Sequence, residues 1–196
     1  MGEVIKIEET IQKMIIELKN KVELMIDLAY SAVMLNDKEI AEEVLRMEEY
    51  IDWLLLQYED AVLSLILRET NSDKLQIIGL LRFGKSLEEI ADSAARIAEN
   101  IMRGLESHYI LAKVAEEGGE FVSVFKVEEG SILANKTISQ TGIEKKFDVQ
   151  IIAVRRGDQW IFDPKDDFVI LPGDVLIIRG FVESLDDLRK ISKRQS

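Results

Sequence analysis

Three pairs of carboxylates stand four residues apart in the first half of this chain: Glu23 with Asp27, Glu48 with Asp52, and Glu88 with Asp92. On an α-helix four residues advance only about 40° in rotation, so each pair sets two acids side by side. Like charges so placed cost roughly a few tenths of a kcal/mol unless a cation or base stands between them. Sites built from carboxylates alone favour hard ions such as Mg²⁺, Ca²⁺ or Mn²⁺. Binding of a divalent metal ion is therefore the chemistry these pairs suggest, set against the plainer alternative of solvated helix faces. Ferritin-like di-iron chemistry needs Glu-x-x-His on two helices, and the one histidine, His108, follows Leu105 at that spacing. With no cysteine and one histidine, neither a thiolate nucleophile nor a zinc–thiolate site nor a Ser-His-Asp triad can be assembled. The pattern points away from an enzyme.

A literal phosphate-loop string also occurs, Gly79-Leu-Leu-Arg-Phe-Gly84-Lys85-Ser86, which fits G-x-x-x-x-G-K-S. Such a loop works on a parallel sheet of βα units, where its backbone N–H groups cradle phosphate. The flanking segments here read as long helices, so ATP hydrolysis is disfavoured. Close helix packing is the expected purpose of Gly79 and Gly84, each costing up to about 1 kcal/mol against Ala inside a helix.

Composition narrows the partners. The 196 residues are 47% hydrophobic, enough for one or two cores, and carry 25 basic against 37 acidic residues for a net charge of −12. That surface repels phosphate backbones, which disfavours nucleic acid and anionic membrane. The start MGEVIKIEET lacks the features of a signal or transit peptide, and no apolar run approaches the ~20 residues that span a bilayer. A cytoplasmic location follows as an expectation, peripheral to any membrane partner.

The elements that must position these residues come in two halves. From Ile5 to Leu35 the apolar residues Ile7, Ile11, Leu18, Val22, Met25 and Ala29 recur at threes and fours, predicting an amphipathic helix. Asn36, with Glu39 three residues on, suggests an N-cap and capping box for a second helix running to Glu69. Thr70-Asn71-Ser72-Asp73 reads as the next break. A third helix is expected over Lys74–Ser107, with a possible extension through Tyr109–Glu117, Gly118-Gly119 ending it. Its apolar stripe is taken as Leu87, Ile90, Ala94, Ile97 and Ile101, opposite Glu88 and Asp92. Three long helices joined by short turns predict an antiparallel bundle over residues 1–117.

Residues 118–196 change character. Val149–Val154 and Val175–Ile178 are strand-like runs flanking Arg156-Gly157-Asp158-Gln159 and Leu171-Pro172-Gly173-Asp174. Gly157 supplies the positive φ of a two-residue hairpin loop, and Pro172-Gly173 form the centre of a type II turn. The order IIAVRR, GDQWIFDP, LPGDVLIIRG, with Phe121–Val127 and Ala134–Ile138 upstream, resembles the TrkA C-terminal domain, the ligand-binding lobe of RCK-type regulators of potassium channels and transporters. Asn135 stands where that family usually has Gly. The resemblance implies a small-molecule or ion effector bound where two such domains meet in a homodimer. By motif it places Phe147 and Ile151 at the apolar positions of that ligand site and Glu144 and Gln150 at the polar ones. Glu144 puts a negative charge where relatives that bind cyclic di-AMP carry an arginine. The Rossmann lobe of RCK regulators, with its G-x-G-x-x-G, is missing, and the helices stand in its place.

The third helix adds a second resemblance. Leu87-Glu-Glu-Ile-Ala-Asp-Ser-Ala-Ala-Arg-Ile-Ala-Glu-Asn100 is similar to the signature helix of the PhoU domain. The resemblance implies metal ligands at Glu88 and Asp92, with a comparable pair at Glu23 and Asp27 in the first helix. It departs at Ser93, Glu89 and Ala91, where the family has His, Arg and Gly. The expectation is thus an α+β chain, a PhoU-like bundle followed by a small TrkA-C-like domain of antiparallel hairpins. Its function is expected to be regulation of a membrane potassium channel or transporter. The alternative is a PhoU-like metal-binding regulator of phosphate signalling.

Overall fold

A computed structural model describes residues 2–68, 74–104, 109–117 and 119–193. The expected break at 70–73, the helix end at Ser107, His108 and Gly118 lie outside the described residues. The chain divides into two compact units, Met1–Tyr30 with Ala41–Leu105, and Ser31–Ile40 with Glu106–Ser196.

The first unit is built on α1 (Gly2–Leu35), α2 (Lys38–Arg68) and α3 (Lys74–Met102). The α1 stripe is buried from Ile11 to Ala29 as its spacing predicts, with Leu18 and Met25 fully enclosed, while Ile7 is half-buried. Tyr50 on α2 donates to Glu17 on α1 at 2.9 Å, and Tyr58 on α2 donates to the Leu80 carbonyl on α3 at 2.8 Å. The Lys21 side chain is fully buried, its ammonium 3.8 Å from Glu17 and 4.0 Å over the Tyr50 ring. Burial lowers its pKa to about 8 against the opposing pull of Glu17 and Glu43.

Two expectations need correction here. The core face of α3 is Ile77, Gly84, Leu87, Ala91, Ala94, Ala95, Ala98 and Ile101, whereas Ile90 and Ile97 remain 41% and 43% exposed. Tyr58 and Leu55 on α2 press against α3 at Gly84, and four alanines follow on that face at 91, 94, 95 and 98. Asn36 is not the N-cap of α2. It takes the left-handed conformation, φ 50°, closing α1, and Asp37 caps α2 by accepting from the amides of Glu39 and Ile40 at 2.9 and 3.2 Å.

Because α3 is continuous from Lys74 to Met102, Gly79–Ser86 is helix and no phosphate loop exists there. A Cβ on Gly84 would lie 2.6 Å from Tyr58 Cε1, whereas one on Gly79 would meet nothing within 4 Å. The packing role expected for both glycines holds within the chain for Gly84. After Met102 the chain turns at Gly104, φ 76°, and α4 (Tyr109–Glu116) is a separate helix, not an extension of α3.

The second unit holds a four-stranded antiparallel sheet of order β1-β6-β3-β4, made of β1 (Phe121–Lys126), β3 (Val149–Arg156), β4 (Gln159–Phe162) and β6 (Val175–Gly180). β2 (Lys136–Thr137) and β5 (Val169–Ile170) pair separately. The short helices α5 (Ile138–Thr141) and α6 (Ile143–Phe147) precede β3, and α7 (Val182–Lys193) follows β6. The two turns form as their residues dictate, with Gly157 at φ 59° and Gly173 at φ 88°. Asn135 takes φ 60°, a conformation that glycine adopts without strain. The core under the sheet includes Phe121, Ile143, Ile151, Val154, Ile170, Leu176, Ile178 and Leu185, and Met34 and Leu35 from the end of α1 pack on it.

The glycines give a paired test. Chemical unfolding of Gly84→Ala is expected to show a loss of about 1–3 kcal/mol from overpacking against Tyr58. Gly79→Ala meets no clash and is expected to gain up to about 1 kcal/mol of helix propensity. Equal effects at the two positions contradict the close α2–α3 approach.

Candidate functional site

The residues that the sequence marks as a ligand site lie together at the junction of α6 and β3. Asp148 makes the corner in the left-handed conformation, φ 53°, and its backbone N–H returns to the Glu144 carbonyl. The Glu144 carboxylate then accepts from the Ile151 amide at 2.9 Å. Glu144 is thus spent in part on holding the first turn of β3. Ile151 is buried in the core at 3% exposure, Phe147 packs half-buried against that core, and the Lys146 ammonium sits 5.2 Å from the Phe147 ring. Gln150 is exposed, opposite Arg179 of β6 in the ladder. The junction therefore presents an apolar ring, an amide and nearby cations on one exposed corner, with Ile151 as its buried footing.

β3 is fixed at its other end by an ion pair between the partly exposed Arg156 and the buried Asp174. Arg156 donates to both oxygens of Asp174, at 2.7 and 2.8 Å, and also to the Val169 carbonyl at 2.7 Å. Asp174, 1% exposed, additionally accepts from the Leu171 amide at 2.8 Å. The Arg156 pKa is pushed up by its hydrogen bonds to Asp174.

Sequence reasoning missed a second feature of this unit. A cavity of about 680 Å³ lies between Leu35–Glu39 and the end of β1, with Lys126, Glu128 and Arg189 among its lining. Arg189 on α7 donates to Asp37 and, at 2.6 Å, to the buried Ser123 hydroxyl. The Ser31 hydroxyl accepts from the Val122 amide at 2.9 Å. Asp37 and Arg189 are 152 residues apart, and no local pattern links them.

In the first unit the acidic pairs are sorted by their surroundings. Glu48 and Asp52 on α2 and Asp92 on α3 bring ligand oxygens within 4.8 Å of one another. Burial raises the Glu48 pKa first, with Asp52 and Asp92 adding to it. Burial likewise raises that of Asp52, followed by Glu88 and Asp92, while Lys85 opposes. Glu88 is engaged by Lys85 and flanks the cluster. Glu23 and Asp27 are not part of it, and Glu23 is paired with Lys19 at 2.7 Å on the surface. The cross-helix partner of Asp92 is thus the pair on α2, not the pair on α1. Three carboxylates so arranged offer the oxygen ligand type that a hard cation takes.

Comparison with known proteins agrees with the two halves. Residues 122–193 match the TrkA-C domain and residues 15–101 the PhoU domain. The chain is 32% identical over 103 residues to the Ktr system potassium uptake protein C of Bacillus subtilis (strain 168), covering 53% of this chain and 42% of that protein. It is 27% identical over 99 residues to the probable potassium channel protein 2 of Methanocaldococcus jannaschii, covering 50% of this chain and 29% of that protein. The chain therefore spans less than half the length of these curated relatives. Among solved structures it is similar to the RCK C domain of the potassium transport protein KtrA in complex with cyclic diadenosine monophosphate. That match has 24% identity and a TM-score of 0.35, over 42% of this chain and 94% of that one. No helix among the described residues is long and apolar enough to cross a membrane. Residues 15–101 are thus a PhoU domain and residues 122–193 a TrkA-C domain.

Proposed function

We propose that this chain is a non-catalytic regulatory subunit of potassium, or more broadly cation, transport, which senses a small ligand or ion through a dimeric TrkA-C domain. The observation that carries this function is the α6–β3 junction. The half-buried Phe147 and the exposed Gln150 stand there on a corner footed by Ile151 and Glu144. The potassium-transport relatives support the same direction. A ligand bridging two such corners acts only by binding one arrangement of the dimer better than another. The protein works from the cytoplasmic side of its membrane channel or transporter partner, and nucleic acid is not a partner of so acidic a chain.

A divalent cation on the PhoU domain is a second, separable function, favoured by the Glu48–Asp52–Asp92 cluster. The raised acids there bind protons more readily when folded. Their favourable contribution is present below the ordinary values of 4.5 and 3.8 and is lost as pH rises through the folded pKa values. At neutral pH the cluster carries mutual repulsion that a metal ion relieves.

Calorimetry of the full chain with cyclic di-AMP, ATP, NAD and K⁺ in turn tests the first function. One of these is expected to raise the melting temperature, equivalent to about 2.7 kcal/mol at a hundredfold excess over Kd. Phe147→Ala or Gln150→Ala is expected to weaken that ligand at least tenfold without unfolding the domain. A ligand whose effect survives both substitutions places the sensor elsewhere, and a uniformly flat panel contradicts these effectors.

For the cation, Asp92→Asn is expected to change sign with conditions. In chelator at pH 7 it stabilises the chain, by an amount that shrinks as pH falls toward 4.5. In millimolar Mn²⁺ the wild type is stabilised and the variant is not. Identical melting with and without Mn²⁺ leaves the cluster a solvated acidic face.

A further inference from the structure

One feature of α3 serves none of these functions. Residues 79, 83, 86, 90, 93 and 97 follow one another at alternating steps of four and three, the spacing of a helix–helix seam. All six are exposed, yet they are Gly, Phe, Ser, Ile, Ser and Ile, with no charge among them in a chain that is 32% charged. Phe83, Ile90 and Ile97 are 46%, 41% and 43% exposed, so among the described residues the stripe has no full cover. Gly79 has open space around it, and a glycine in mid-helix without a close neighbour has no packing reason in the single chain.

The order of sizes identifies the cover. Small residues at 79, 86 and 93 alternate with large ones at 83, 90 and 97. When α3 is laid antiparallel on a second α3 about a two-fold axis, Gly79 faces Ile97, Phe83 faces Ser93, and Ser86 faces Ile90. Each large side chain then meets a small one, and the relation repeats from both sides, as an isologous interface requires. A parallel pairing sets large against large and small against small. Near Ser93 the Arg96 guanidinium donates to the serine hydroxyl at 2.8 Å, which brings a cation to the Phe83 ring of the second copy. Glu88 and Asp92 lie about 180° around α3 from the stripe, clear of the contact.

We propose that the exposed Gly79–Phe83–Ser86–Ile90–Ser93–Ile97 face of α3 is an antiparallel, two-fold docking surface for α3 of a second copy of this chain. It is distinct from the pairing of TrkA-C domains and does not depend on the ligand or metal functions.

The chain has no cysteine, so disulfide trapping starts from a clean background. The double variant Gly79→Cys/Ile97→Cys in the full chain places its thiols about 27 Å apart on one helix, too far to bridge internally. Across the antiparallel seam each thiol meets its counterpart. Mild oxidation is expected to convert most of the double variant to a covalent dimer that does not extend into longer ladders. Each single variant is expected to stay monomeric on a denaturing gel. Adding Ile90→Glu, at a position half exposed in the chain and so tolerant of charge, is expected to cut the yield at least tenfold while helical circular dichroism is retained. Failure of the double variant to cross-link, equal cross-linking of the single variants, or a yield indifferent to Ile90→Glu overturns the proposal.

Discussion

The second unit depends on one buried acid. Asp174 is 1% exposed, and a carboxylate removed from water survives as an anion only if its oxygens are fully engaged. The bidentate Arg156 and the Leu171 amide do this. Asp174 is also the hinge of the backbone, since its carbonyl accepts from Val127 and its amide donates to Leu171. Four segments therefore close on Asp174 and its partner Arg156: the end of β3, β5 through the Val169 carbonyl that Arg156 reaches, the start of β6, and Val127 after β1 through the Asp174 backbone carbonyl. The α6–β3 corner hangs on the other end of the strand that Arg156 terminates, so the proposed ligand contacts inherit their position from this pair.

A second polar tie shows the same economy. Asp37 uses one oxygen to cap α2 and the other to receive Arg189, while Arg189 also reaches the buried Ser123. With Ser31 holding the Val122 amide, the α1–α2 corner is a structural member of the second unit. Loss of either charge strands the other in a half-buried setting, where an unpaired group is costly.

Much of this was legible wherever a local rule decides. Gly157, Pro172-Gly173 and Asn135 announce their turns because backbone dihedral preference is a property of the residue itself. The α1 stripe and the three long helices follow from period alone. The failures came where a neighbour decides. Ile90 and Ile97 outrank alanine on any hydrophobicity scale, but Tyr58 and Leu55 press on Gly84, and the inner face of α3 beyond Leu87 is filled by Ala91, Ala94, Ala95 and Ala98. Asn36 and Asp37 are both competent caps, and the choice rests on which one closes α1 in the left-handed conformation. Carboxylate pairs are visible at four-residue spacing, but that Asp92 meets Glu48 and Asp52, and not Glu23 or Asp27, depends on the register of the bundle. The Asp37–Arg189 tie and the cavity beside it are purely tertiary.

Amide hydrogen exchange of the full chain carrying Asp174→Asn tests the Arg156–Asp174 pair most directly. Breaking it is expected to cost about 1.5–3 kcal/mol, which lowers protection of the β6 amides, Val175–Gly180, by about tenfold or more while the α3 amides keep theirs. Protection of β6 within about fivefold of the wild type contradicts the claim that this ion pair holds the domain and positions its ligand corner.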